Sequence, residues 1–136
     1  MPDQLPGSGH PAPSVLIADD SEVTLDQVSD FLGRLGLKAY SARNGLELLE
    51  LASVLKPDII MIDIQMPGMD AFETVKRLRA SYQPDVASIP VIAITALAIP
   101  GDQERCLEAG VNEYLCKPIT IKQLSQKIKQ LYLGEK

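Results

Sequence analysis

Apolar residues fall into two alternating kinds of segment along this chain. Residues 14–18 (SVLIA), 59–62 (IIMI) and 91–95 (VIAIT) are short, nearly unbroken apolar runs that lean toward β-branched types. Such runs read as strands buried on both faces of a parallel sheet. Residues 37–41 (LKAYS) mix polar and apolar side chains, which suits an edge strand, and a short fifth strand falls within 111–116. Between these runs the apolar residues recur at steps of three and four. Leu25, Val28, Leu32 and Leu35, with Phe31 beside them, mark one helix, and Val23 lies off its stripe. Leu46, Leu49, Ala52 and Leu55 mark a second, and Phe72, Val75, Leu78 and Arg79 a third over 71–80. A short helix opens at Pro100-Gly101-Asp102 and ends near Ala109-Gly110. The last spans 120–133, with Ile121, Leu124, Ile128 and Leu131 on one face and Thr120 as its cap.

The punctuation agrees with the periodicity. Ser21 or Asp20 is placed to cap the first helix and Gly36 to end it; Asn44-Gly45 opens the second, and Pro57 closes it. Asp58 and Asp70 read as caps, and residues 82–90 as a loop. Five strands alternating with five helices over short connections imply an α/β fold with one doubly wound parallel sheet. Residues 1–13 (MPDQLPGSGHPAP), with four prolines and two glycines, read as a flexible leader or linker, 14–133 as one domain, and 134–136 as a tail.

Composition narrows the function classes. The 136 residues suit one core, and 46% are hydrophobic. A net charge of −5 with no basic run argues against a nucleic-acid surface, and no apolar stretch approaches a membrane span. Cys106 and Cys116 are too few for a disulfide framework and read as small core fillers, and His10 is the one histidine. Zinc sites and histidine-dependent triads are unsupported, and a reduced cytoplasmic setting is expected.

The chemistry gathers at the carboxyl ends of the strands. Asp19 and Asp20 follow the first, Asp63 the third, Thr95 the fourth and Lys117 the fifth. In a parallel sheet these ends share one edge, where sites are built. Neither a Gly-rich phosphate loop nor a dinucleotide fingerprint follows the first strand, because Asp19-Asp20-Ser21 stands there. Three neighbouring carboxylates repel unless a cation intervenes, and hard oxygen donors suit Mg²⁺. An Asp carboxylate can also act as a nucleophile toward phosphorus. Lys117 and the metal would neutralise phosphoryl oxygens, and the Thr95 hydroxyl would hydrogen-bond one of them.

In the order and spacing of Asp19-Asp20, Asp63 with Met66-Pro67-Gly68-Met69-Asp70, Thr95-Ala96, and Tyr114 with Lys117-Pro118, the chain resembles a response-regulator receiver domain of two-component signalling. The resemblance covers about residues 14–133 and implies a flavodoxin-like sheet of order 2-1-3-4-5. It implies that Asp63 is the phosphoacceptor, taking a phosphoryl group from a phosphohistidine on a sensor histidine kinase or phosphotransfer protein. Asp20, Asp63 and the backbone carbonyl of Gln65 would bind Mg²⁺, with Asp19 acting through a bound water. Lys117 would pair with the phosphoryl group. Thr95 would move toward it, and Tyr114 would turn inward into the space left. A cis Lys117–Pro118 bond is also implied.

The surface around residues 97–116 would then change its presentation to a partner, Val23 is a candidate kinase contact, and self-association would use the face of the fourth helix, fifth strand and last helix. Residues 95–119 resemble receivers of hybrid histidine kinases more than those of DNA-binding regulators, so two readings stand, a stand-alone regulator working by protein contact and a receiver belonging to a hybrid kinase or another multidomain chain. Ala71 departs from the glycine usual at that place in the family, and by the same resemblance Gln65 and Leu97 would flank the phosphoryl site. Two rivals are a small Mg²⁺-dependent phosphatase, whose second acid would stand where Gln65 is, and a degenerate receiver acting only as an interaction module.

Overall fold

The computed structural model describes residues 13–66, 70–96 and 99–133. The elements run β1 (Ser14–Ala18), α1 (Glu22–Arg34), β2 (Lys38–Ala42), α2 (Gly45–Leu55), β3 (Ile59–Asp63), α3 (Ala71–Arg79), α4 (Pro84–Ala87), β4 (Val91–Thr95), α5 (Asp102–Ala109), β5 (Glu113–Cys116) and α6 (Ile121–Leu133). The five strands form one sheet in the order β2-β1-β3-β4-β5, with every pairing parallel. This is the expected doubly wound architecture, with the strand order reversing between β1 and β3.

Strand alternation sorts the core into two layers. Leu16, Ala18, Ile60, Ile62, Val91 and Ala93 pack with the buried residues of α2, α3 and α5. Val15, Ile17, Ile59, Met61, Ile92 and Ile94 pack with those of α1 and α6. Since successive side chains of a strand point to opposite faces, both sets must be apolar, which is why β1, β3 and β4 read as continuous runs.

Helix ends follow their local chemistry. The Ser21 hydroxyl accepts from Thr24 N at 3.3 Å, Asn44 Oδ1 from Glu47 N at 2.9 Å, and Asp70 Oδ1 from Phe72 N at 2.7 Å. Thr120 Oγ1 accepts from Gln123 N while Gln123 Oε1 accepts from Thr120 N, a reciprocal box. After α1, Gly36 takes a φ of 84° and Leu37 N donates back to Leu32 O at 2.8 Å. Asp58 does not cap a helix; its Oδ2 accepts from Ser14 N at 2.8 Å and so fastens the start of β1.

Several expectations change. A sixth helix, α4, stands inside the expected loop at 82–90. Pro84 occupies its first turn, where a fixed φ helps and no N–H is needed, and Val86 and Ile89 are buried beneath it. β2 lies one residue later than expected, because Leu37 is engaged in closing α1, and β5 begins at Glu113. In α2 the buried positions are Gly45, Leu48 and Ala52, while Leu46 is 57% exposed. That helix carries leucines all round, so periodicity does not choose its face. Cys106 is buried as expected, but Cys116 is exposed because it ends the edge strand β5. Pro13, assigned to the leader, is buried, and its carbonyl accepts from Lys38 N at 2.9 Å. Residues 1–12 and 134–136, the Pro67-Gly68-Met69 turn and Leu97 lie outside the described residues. Among the described residues no helix is long and apolar enough to cross a membrane.

Candidate functional site

Register brings the singled-out side chains to one rim. Ala18 is level with Ile62, so Asp19 comes level with Asp63. Asp63 pairs with Ile94 and Thr95 pairs with Cys116, so Thr95 and Lys117 each stand one step beyond. Continuing the alternation, Asp19, Asp63 and Lys117 belong to the layer of α1 and α6. Thr95 and Tyr114 belong to the opposite layer, with α5. The sheet edge therefore holds an acid–lysine cluster on one side and a threonine–tyrosine column on the other.

The cluster is tight. Lys117 Nζ lies 3.0 Å from Asp19 Oδ2 and 3.2 Å from Asp63 Oδ2, donating a hydrogen bond to the latter. The remaining oxygens take backbone donors: Asp19 Oδ1 accepts from Ser21 N at 2.9 Å, and Asp63 Oδ1 from Gln65 N at 2.8 Å. Each acid thus folds the turn that follows its strand. Asp19 is fully buried, Asp63 is 4% exposed, and Asp20 faces solvent at the mouth. One carboxylate oxygen from each of the three lies within 4.8 Å of the others.

Electrostatics sets the two sides of the cluster against each other. Burial pushes the Asp19 carboxyl above its ordinary pKa, and the Asp63 charge adds to this, against the Ser21 N–H and Lys117. Burial pulls the Lys117 ammonium down, but its ion pair with Asp19 and the charge of Asp63 outweigh that, and its pKa is raised. Among the described residues one ammonium, that of Lys117, stands against the three carboxylates. Asp19 Oδ2 is buried yet receives no hydrogen bond of good geometry, despite the nearby ammonium. A buried carboxylate oxygen with spare capacity, beside two more carboxylates, fits a hard divalent cation. The donor set therefore suits the metal that the residues imply.

Thr95 is fully buried, and its carbonyl accepts from Lys117 N at 2.7 Å, which ties β4 directly to the lysine. The Lys117–Pro118 bond is cis, as expected. Tyr114 is half-buried and packs against the layer containing Cys106 and Ala109; its register partner, Ala93, is small. Gln65 presents one contact that sequence reasoning missed: its side-chain Oε1 accepts from Ala96 N at 3.3 Å, bridging the turns after β3 and β4.

Arg79 was also missed. The guanidinium donates to the carbonyls of Ala87, Ile89 and Gly110, and to Asn112 Oδ1. Its position on an apolar stripe was the available signal, because a long polar side chain there must find buried acceptors.

Comparison with known proteins agrees with this geometry. The family model for the response regulator receiver domain matches residues 15–129. The polar-differentiation response regulator DivK of Brucella anthropi is 38% identical over 122 residues, covering 90% of this chain and 97% of that protein. Among solved structures, chemotaxis protein CheY4 of Vibrio cholerae matches with a TM-score of 0.82 and 28% identity, over 88% of this chain and 98% of that one. A co-crystal structure of the Saccharomyces cerevisiae histidine phosphotransfer signalling protein Ypd1 with the receiver domain of its downstream response regulator Ssk1 matches with a TM-score of 0.78. Its identity is 27%, over 89% of each chain. The chain is a member of the response regulator receiver domain family, a phosphoacceptor switch of two-component signalling.

Proposed function

We propose that Asp63 is the phosphoacceptor of this receiver and that its donor is a phosphohistidine on a sensor histidine kinase or phosphotransfer protein. The observation that carries this reading is Lys117 Nζ set between Asp19 Oδ2 and Asp63 Oδ2, at 3.0 and 3.2 Å. An oxygen of the Asp63 carboxylate attacks phosphorus, and the O–P bond forms as the P–N bond breaks. The electron pair leaves on the imidazole nitrogen. The Gln65 N–H and Lys117 hold the carboxylate in place, and Lys117 stays beside the new phosphoryl group to offset its charge. Asp19, Asp20, Asp63 and the backbone carbonyl of Gln65 would hold Mg²⁺, which neutralises phosphoryl oxygens when bound. The Ypd1–Ssk1 complex, a phosphotransfer protein with a receiver, supports the partner class.

Phosphorylation adds about −1.5 to −2 charge at this rim. Thr95 then turns its hydroxyl toward the phosphoryl group, and Tyr114, in the same layer, follows into the vacated space. A swing from 1:99 to 99:1 between the two arrangements requires roughly 5.5 kcal/mol of differential stabilisation. The partner-facing surface around Tyr114 changes with it, and the chain acts in the cytoplasm, where its two thiols stay reduced. The protein itself turns over no separate substrate.

Mass spectrometry after incubation with Mg²⁺ and acetyl phosphate tests the assignment. The expected result is one added phosphoryl mass in the wild type and none in Asp63→Asn. A phosphorylated mass that survives Asp63→Asn removes Asp63 from the role.

A further inference from the structure

The Gln65 side chain makes a bond that the phosphoryl chemistry does not use. Just past the end of β3, Ile64 N donates to Ile94 O at 2.9 Å and so extends the β3–β4 ladder. Bonds of a parallel pair are evenly spaced, so the next donor toward β3 is Ala96 N–H, two residues on. No strand remains to receive it, because β3 ends at Asp63 and the chain turns at Ile64-Gln65. The Gln65 side chain takes that place: its Oε1 accepts from Ala96 N at 3.3 Å.

This rung falls on the segment that carries Thr95. The N–H of Ala96 and the carbonyl of Thr95 belong to one planar peptide unit. That carbonyl accepts from Lys117 N at 2.7 Å, so the peptide is held from the end of β5 on one side and from the β3 turn on the other. Gln65 also reaches the phosphoacceptor, since its own N–H donates to Asp63 Oδ1 at 2.8 Å. One residue thus ties Asp63 to the neighbour of Thr95. The two holds differ in strength. The Lys117 bond is short and joins backbone to backbone. The Gln65 bond is long and ends on a side chain that can rotate, and both Gln65 and Ala96 are exposed, so it is the easier to break.

We infer that Gln65 is a positioning residue: its side chain is a latch that holds the Thr95–Ala96 peptide in the unphosphorylated arrangement and lets go when Thr95 moves to the phosphoryl group. The inference rests on the reading of Thr95 and Tyr114 as a coupled pair. Bringing Thr95 to the phosphoryl group shifts the rigid peptide that follows it, and the Ala96 N–H is part of that peptide. A bond made in one of two arrangements biases the equilibrium toward that one. For a single exposed hydrogen bond the bias is about two- to tenfold.

The test uses the full chain labelled with ¹⁵N and with ¹³C at tyrosine Cζ, the Tyr114 resonance being assigned by Tyr114→Phe. Without phosphodonor or Mg²⁺, Gln65→Leu is expected to speed hydrogen exchange of the Ala96 amide about two- to tenfold. Gln65→Glu, which keeps an acceptor, holds it near the wild-type rate, and the Ile64 amide is unmoved in both. The wild type with Mg²⁺ and acetyl phosphate, its phosphoryl mass checked on the same sample, gives the switched position of the Tyr114 resonance. Unphosphorylated Gln65→Leu moves that resonance part of the way there, and Gln65→Glu leaves it at the resting position. Tyr114 lies across β4 from Gln65, so repacking confined to the altered side chain does not move it. An unchanged Ala96 rate in Gln65→Leu overturns the latch. Faster exchange with Tyr114 unmoved also overturns it, since Gln65 is then a strut alone. A wild type that takes up no phosphoryl mass removes the Asp63 assignment and the switched state with it, and the Ala96 rates tell the two failures apart.

Discussion

The Arg79 guanidinium clasps the carbonyl of Gly110, with Nε at 3.0 Å and Nη2 at 2.8 Å, and the stem of the same side chain lies where a Cβ on residue 110 would stand. A Cβ there would meet Arg79 Cγ at 2.9 Å, and residue 110 has a φ of 108°. Gly110→Ala is therefore strained twice, in its backbone and against a side chain held by other bonds. The expected cost is about 1–3 kcal/mol in urea unfolding. Arg79→Leu leaves the Gly110, Ala87 and Ile89 carbonyls without their donor and should cost about 2–4 kcal/mol. The double variant is expected to lose less than the sum, since Arg79→Leu removes the held side chain that the added methyl would strike.

Asp19→Asn should stabilise the metal-free protein at neutral pH. Burial, with the Asp63 charge, raises the Asp19 pKa on folding, so the folded state holds its proton more tightly than the unfolded chain. Stability contributed by that proton is complete below the ordinary value of 3.8 and is lost as pH rises through the folded pKa. The asparagine variant lacks this loss. Its advantage should be absent in strong acid and grow as pH rises through the folded-state pKa of Asp19. Thermal melts across pH check it. Added Mg²⁺ should raise the melting temperature of the wild type more than that of the variant.

The two thiols should separate cleanly. Burial holds the Cys106 thiol above its ordinary pKa, and the Asp102 charge adds to this against Arg105. Cys106 is 1% exposed, whereas Cys116 is open to solvent. Ellman's reagent at pH 8 should titrate one thiol per chain promptly and the second only after denaturant is added. Cys116→Ser should abolish the prompt reaction.

The phase of α2 gives a stability contrast between two leucines. Leu48 is 1% exposed and Leu46 57%. Leu48→Ala should cost about 2–5 kcal/mol, and Leu46→Ala should stay within about 0.5 kcal/mol, in the same urea titration.

The sequence alone determined the parallel sheet and its acidic rim. Runs such as IIMI and VIAIT are apolar at consecutive positions, as a strand covered on both faces requires. Asp19, Asp63 and Thr95 each close such a run or follow it directly, and Lys117 follows the short fifth strand. Local chemistry also placed the caps at Ser21, Asn44, Asp70 and Thr120.

Tertiary structure decided what no local pattern encodes. In α2 the leucines face every direction, so packing against the sheet chose Leu48 over Leu46. The bonds of Arg79 to Gly110 and Asn112 span more than thirty residues, and Cys116 is exposed because its strand is the last in the sheet. Periodicity reports which face of an element is apolar. Which acceptors a buried cation reaches, as Arg79 reaches the Gly110 carbonyl, depends on distances that exist only once the layers have closed.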